Sequence, residues 1–177
     1  MGVDNIVTSA ARPDLTPRTR TYSWTPVDTS RLPLADRSGL EYFQQLRDGA
    51  LPAQPISQTI GWTIEAVDRG SVRLSFVPEL FLFHSGGLLH GGILATLLDS
   101  AMSTAIISTL GKGQAARTVN LSVNYIRGVT HRDGPLVVTG NVDHVGRQTG
   151  VASAAVTDSA GRLFAQGTST CLILAAE

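Results

Sequence analysis

The apolar positions change their period twice along the chain, and the changes mark its elements. Residues 1 to about 35 have no period. Four of the eight prolines (Pro13, Pro17, Pro26, Pro33) stand there among Thr, Arg and Asp, which predicts a flexible N-terminal tail that Tyr22 and Trp24 can pin to the body. Leu40, Phe43 and Leu46 then recur at helical spacing, with Ser38 and Glu41 spaced as a capping box and Gly49 as the stop. Pro52 and Pro55 predict an extended linker. From Thr59 the period becomes two. Ile60, Trp62, Ile64 and Ala66 share one face of a strand, Asp68-Arg69-Gly70 makes a turn, and Val72, Leu74 and Phe76 share one face of the next strand. This is a hairpin, which Pro78 ends.

The longest apolar segment, Ile93 to Leu110, is hydrophobic nearly all round, which predicts a buried helix closed by Gly111 and Gly113. Val119, Leu121, Val123 and Tyr125 then alternate with Thr118, Asn120, Ser122 and Asn124 as a strand. Leu136 to Val145, Val151 to Thr157 and Leu163 to Leu174 predict three more, separated by turns at Gly146-Arg147 and Ser159-Ala160-Gly161. Two strands, one apolar helix and four strands make an α+β domain over residues 36–177. An antiparallel sheet wrapped around the helix is the simplest way to cover it.

Composition narrows the function classes. A length of 177 residues suits one domain, and a charged fraction of only 16% leaves surface free for subunit contacts. Fourteen Lys and Arg against fourteen Asp and Glu exclude a strongly basic nucleic-acid binder. The single Cys171 excludes a disulfide framework and any multi-cysteine zinc site. Met1 to Ala11 lacks the apolar stretch of a signal peptide, and Ile6 stands where a myristoylation signal wants Ser or Thr. The one candidate membrane span, Leu88 to Leu110, carries His90 and Asp99, so it reads as a protein-buried helix and the chain as soluble and cytoplasmic.

Candidate chemistry gathers where the glycine-rich run enters that helix, over His84, His90-Gly91-Gly92 and Asp99. Glycines before a long helix let another molecule approach the free N–H groups of its first turn, and those donors suit a developing oxyanion. Asp99 sits in the apolar helix. Either a nearby Ser or Thr bonds it and it is structural, or it is a desolvated carboxylate used as base or nucleophile. No Gly-x-Ser-x-Gly elbow exists, and Gly111-Lys112-Gly113 lacks P-loop spacing. His84 and His90 are not spaced as a helical metal pair and have no third ligand near, so no metal is expected. His131 and His144 read as surface or satisfied residues, and Cys171 as a small buried hydrophobe.

His90-Gly91-Gly92, six intervening residues and Asp99 resemble the signature of the hotdog-fold thioesterases, in the phenylacetate-pathway (PaaI-like) branch. The resemblance covers residues 38 to 174 and implies hydrolysis of acyl- or aryl-coenzyme A thioesters, with coenzyme A as part of the substrate and no separate cofactor. It implies that Asp99 is the general base or nucleophile, that the Gly91 N–H polarises the carbonyl with support from His90, and that Thr118 orients the attacking water. The family usually has Asn where this chain has His84, whose imidazole can donate one hydrogen bond but also titrates near neutral pH. Gly92 and Phe83 are expected to line the substrate, Phe81 and Met102 to stand near the acyl tunnel, and Arg127 and Arg147, with Lys112 and Arg132, to meet the phosphates. For any one of these cations the plainer reading is a solvated surface charge. The thioester can be carried by coenzyme A or by an acyl carrier protein.

Two rival functions remain. Hotdog dehydratases and hydratases also pair a His with an acid, although their usual motifs around the histidine are absent. A non-catalytic acyl-binding module is the other. The helix geometry adds an expectation about assembly: His90 and Asp99 differ by roughly 180° around the axis and about 13.5 Å along it, so one chain cannot easily bring both to one carbonyl. A two-fold partner with an antiparallel helix can, and the resemblance implies the same homodimer, often paired into a homotetramer.

Overall fold

A computed structural model describes residues 15–27 and 34–175. Around one long helix it wraps a six-stranded antiparallel sheet. The order is α1 (Gly39–Arg47), α2 (Pro55–Ile60), β1 (Trp62–Asp68), β2 (Ser71–Phe76), a 3-10 turn (Leu80–Leu82), α3 (Gly91–Ile107), β3 (Gln114–Tyr125), β4 (Leu136–Val145), β5 (Thr149–Asp158) and β6 (Leu163–Ala175). The strands lie in the order β1-β2-β4-β5-β6-β3, which places β3 at one edge.

Local signals set α1 as expected. The Ser38 hydroxyl caps the Glu41 N–H and the Glu41 carboxylate returns to the Ser38 N–H, holding that carboxyl below its usual range mainly through the backbone bond. The extended linker is corrected: Pro55 stands at the first position of α2, where its missing N–H costs the helix nothing, and Ile60 therefore ends a helix and does not begin β1. In β1 a bulge between Ile64 and Ala66 shifts the pairing by one residue. Val67, and not Ala66, is then buried opposite Val72.

The core lies between α3 and the inner face of the sheet. Leu97, Leu98, Ala101, Met102, Ala105 and Ile106 of α3 are fully buried against Val72, Leu74, Phe76, Leu136, Val138, Ala152 and Val156. At Gly140 in β4 the sheet comes so close to the helix that a Cβ would sit 2.7 Å from the Ala101 carbonyl oxygen, so only glycine fits. Met102 thus belongs to the packed core. No helix among the described residues is long and apolar enough to cross a membrane.

Of the expected tail, residues 1–14 and 28–33 lie outside the described residues. Residues 15–27 form no helix or strand and are exposed, with the Arg20 guanidinium 4.0 Å from the Phe81 ring centroid and hydrogen-bonded to the Thr59 carbonyl at 2.9 Å. Leu34 already packs in the body, and its carbonyl accepts the Gly113 N–H at 2.8 Å. A chain shortened to begin at Leu34 is therefore expected to keep a single cooperative thermal transition. Loss of that transition in calorimetry would make residues 15–27 part of the core.

Candidate active site

The entry to α3 is a chain that doubles back. Phe83 and Leu89 pair as an isolated antiparallel bridge, the His84 N–H donates to the Leu88 carbonyl at 3.0 Å, and the His90 N–H donates to the Leu82 carbonyl at 3.0 Å. This fold-back sets the His84 and His90 rings edge to face, 6.4 Å apart. Each imidazole accepts a backbone N–H at Nδ1, His84 from Gly86 at 2.9 Å and His90 from Gly92 at 3.0 Å. An Nδ1 so occupied leaves the neutral ring's proton on Nε2, so both rings present a donor outward. Phe83 is half-buried against the core.

His90 is the N-cap of α3 and takes two first-turn donors, the Gly92 N–H at Nδ1 and the Ile93 N–H at its carbonyl. The Gly92 N–H is thereby used up. The Gly91 N–H has no acceptor among the described residues and stands at the positive end of a 17-residue helix. A Cβ at Gly91 would sit 3.3 Å from the Tyr125 ring, so glycine lets that ring lie directly on the backbone. The Tyr125 hydroxyl donates to the Gly91 carbonyl at 3.0 Å.

Asp99 lies two turns further along α3, half-buried, and its Oδ1 accepts the Thr118 hydroxyl at 2.8 Å. Its other oxygen receives no hydrogen bond among the described residues. Strict alternation would put Thr118 on the outer face with Asn120, Ser122 and Asn124. A bulge between Thr118 and Asn120 corrects this: Val119 is the extra residue, 62% exposed, and Thr118 turns inward beside Leu121, Val123 and Tyr125. Cys171, the register partner of Thr118, is fully buried, and its Sγ is 3.7 Å from the Thr118 hydroxyl. Burial pushes its thiol up, so it stays protonated and is no nucleophile.

One chain therefore carries two hydrogen-bonded pairs along β3, with Tyr125 on Gly91 at one end and Thr118 on Asp99 at the other. Eight residues of helix separate Gly91 from Asp99, about 12 Å of rise. The expected phosphate-binding cations are divided the same way. Arg127 follows β3 near Gly91, its N–H on the Phe164 carbonyl at 3.0 Å, and Arg132 lies in the same loop. Arg147 sits in the β4–β5 turn, near where Gly150 packs on Ile106 at the far end of α3, and Lys112 is in the turn before β3. Among the described residues no group of three or more His, Cys, Asp or Glu could hold a metal. Tyr125 was legible only as a strand residue, since nothing local signals its bond to a glycine 34 positions earlier.

The family model of the thioesterase superfamily matches residues 86–165, the span from the glycine run to β6. A protein of Halobacterium salinarum assigned as an esterase is 35% identical over 114 residues, 62% of this chain and 74% of its own length. A phenylacetic acid degradation-related protein from Ralstonia eutropha has a solved structure with TM-score 0.68, 27% identity, and coverage of 74% of this chain and 98% of that one. A Streptococcus mutans protein solved bound to acetyl-CoA has TM-score 0.60 and 26% identity, covering 66% of this chain and 91% of that one. With the sheet wrapped around α3 and the His90-Gly91-Gly92 and Asp99 pattern at its start and middle, the chain is a hotdog-fold thioester hydrolase and belongs to the thioesterase superfamily, in its PaaI-like branch.

Proposed function

We propose that the protein hydrolyses an acyl- or aryl-coenzyme A thioester at a site shared between two copies of the chain. Either water, deprotonated by Asp99, attacks the carbonyl carbon directly, or the Asp99 carboxylate attacks it and water then hydrolyses the resulting mixed anhydride. In both routes the proton from water ends on the departing thiolate. The oxyanion is held by the partner's Gly91 N–H, the C–S bond breaks, and the products are the free acid and the coenzyme A thiol. The observation that carries this reading is the arrangement along β3, where Thr118 holds Asp99 and Tyr125 holds Gly91 on one unpaired edge. The acetyl-CoA bound to the Streptococcus mutans relative supports coenzyme A as the carrier.

The Thr118–Asp99 bond by itself suits a structural carboxylate as well as a catalytic one. The open second oxygen and the exposed edge favour the catalytic role. β3 is twelve residues long with one edge unpaired, and Val119, Leu121, Tyr125 and Ile126 are exposed on or beside it. A long apolar edge of this kind calls for a pairing strand. If two β3 strands pair antiparallel about a two-fold axis between Leu121 and Ser122, Thr118 faces the partner's Tyr125. Asp99 then approaches the partner's Gly91, and each dimer has two composite sites. A pairing of two such dimers gives the homotetramer.

His84 serves this reading as a second Nε2–H donor near the carbonyl, where the family's Asn would donate an amide N–H. The same tautomer argues against a dehydratase or hydratase. With Nδ1 occupied and the proton on Nε2, neither neutral imidazole has a lone pair free to abstract a proton. The deciding experiment offers a saturated acyl-CoA and a 2-enoyl-CoA and follows thiol release. Free thiol from the saturated substrate is expected. Hydration of the enoyl thioester without thiol would establish the lyase, and binding with no turnover of either would establish a non-catalytic acyl-binding module. The same screen with an acyl carrier protein thioester separates the two carriers.

A further inference from the structure

We infer that Tyr125 is a positioning residue for the first turn of α3, acting through a single peptide group on Gly91 and His90. The inference rests on the proposed placement of the Gly91 N–H against the thioester carbonyl. The Gly91 carbonyl that accepts the Tyr125 hydroxyl at 3.0 Å belongs to the same peptide plane as the Gly92 N–H, which donates to His90 Nδ1 at 3.0 Å. The phenol thus holds one end of that plane and the imidazole the other. A hydrogen bond accepted at a peptide oxygen polarises the group and strengthens the N–H as a donor. The His90 ring is thereby held in its Nε2–H tautomer, with that proton pointing outward.

The ring of Tyr125 has a second effect. Its carbons and hydroxyl stand 3.3–3.4 Å from where a Gly91 side chain would begin, so the ring covers the glycine's bare α-carbon. Glycine is the most permissive backbone residue, and here its N–H has to keep one direction to be useful. Contact at the α-carbon and a hydrogen bond at the carbonyl restrict that residue on two sides without touching its N–H. The ring is 55% exposed, so its burial adds little to the core. Its register partner Ala165 is small and fully buried, which leaves room for the side chain to lean toward α3.

The test is Tyr125→Phe, which keeps the ring and removes only the hydroxyl. Only the hydroxyl is lost and the ring keeps its contacts, so folding and assembly are expected to be unchanged, and a thermal scan with a mass measurement checks this. Two readouts are taken: steady-state thiol release from an acyl-CoA, and the ¹⁵N shifts of the His90 ring nitrogens. The expected result is a fall in kcat of about tenfold with KM within about twofold, together with loss of the pure Nε2–H signature at His90. An unchanged kcat, a change confined to KM, or a His90 spectrum identical to the parent's would overturn the inference. If the parent protein releases no thiol from any thioester, the functional reading fails instead. The His90 spectra of the two proteins then still decide whether Tyr125 orders that turn.

Discussion

Asp99→Asn is expected to lower thioester turnover by about 10³-fold or more while the thermal midpoint stays within a few degrees of the parent's. The amide nearly matches the carboxylate in shape, and its carbonyl oxygen can still accept the Thr118 hydroxyl that now bonds Oδ1 at 2.8 Å. It is neither a base nor a nucleophile. The half-exposed position means that no buried charge is removed and no cavity opened. Near-normal kcat in this variant would make Asp99 structural and end the proposed mechanism.

A second inactive variant can be designed to restore activity when mixed with the first. Gly91→Pro removes the N–H proposed to hold the oxyanion and little else. Proline is favoured at the first position of a helix, and this N–H has no acceptor among the described residues. His90 already has φ −61° and ψ 130°, the extended conformation that a following proline requires. The Tyr125 ring, 3.3 Å from the new Cβ, has to shift by a few tenths of an ångström. Alone, the variant should lose about 10²–10³ in kcat. Unfolded and refolded together with Asp99→Asn, it should form mixed dimers in which one site collects both defects and the other has none. Random pairing makes about half the dimers mixed, so roughly a quarter of the parent activity should return. If each site came from one chain, mixed dimers verified by mass would stay inactive, and the shared site would be wrong.

The fold was legible wherever the deciding interaction is local. The capping box at Ser38 and Glu41 lies within one turn, and α1 begins where that spacing says. The β1–β2 hairpin turns at Arg69-Gly70, and Val72, Leu74 and Phe76 are buried as their alternation implies. Local pattern misleads where a residue has two uses. Pro55 looks like a helix breaker and serves as the first residue of α2, because a proline N–H is missing where a helix has no use for one. Alternation failed at the two bulges beside Glu65 and Val119, since an extra residue reverses the facing of everything beyond it. Nothing in either strand's own pattern marks the bulge; the partner strand sets it.

The sequence alone determined that one apolar helix must be buried under a sheet, that a glycine pair opens it, and that Gly91 and Asp99 cannot meet within it. All three follow from periodicity and helix pitch, which are properties of neighbouring residues. Only the tertiary structure decided that β3 is the edge strand, that Thr118 faces Asp99, and that Tyr125 lies on Gly91. Those contacts join residues 19 and 34 positions apart through strand pairing and helix packing. Their geometry is set by which surfaces the chain can bury together, and no local pattern carries that information.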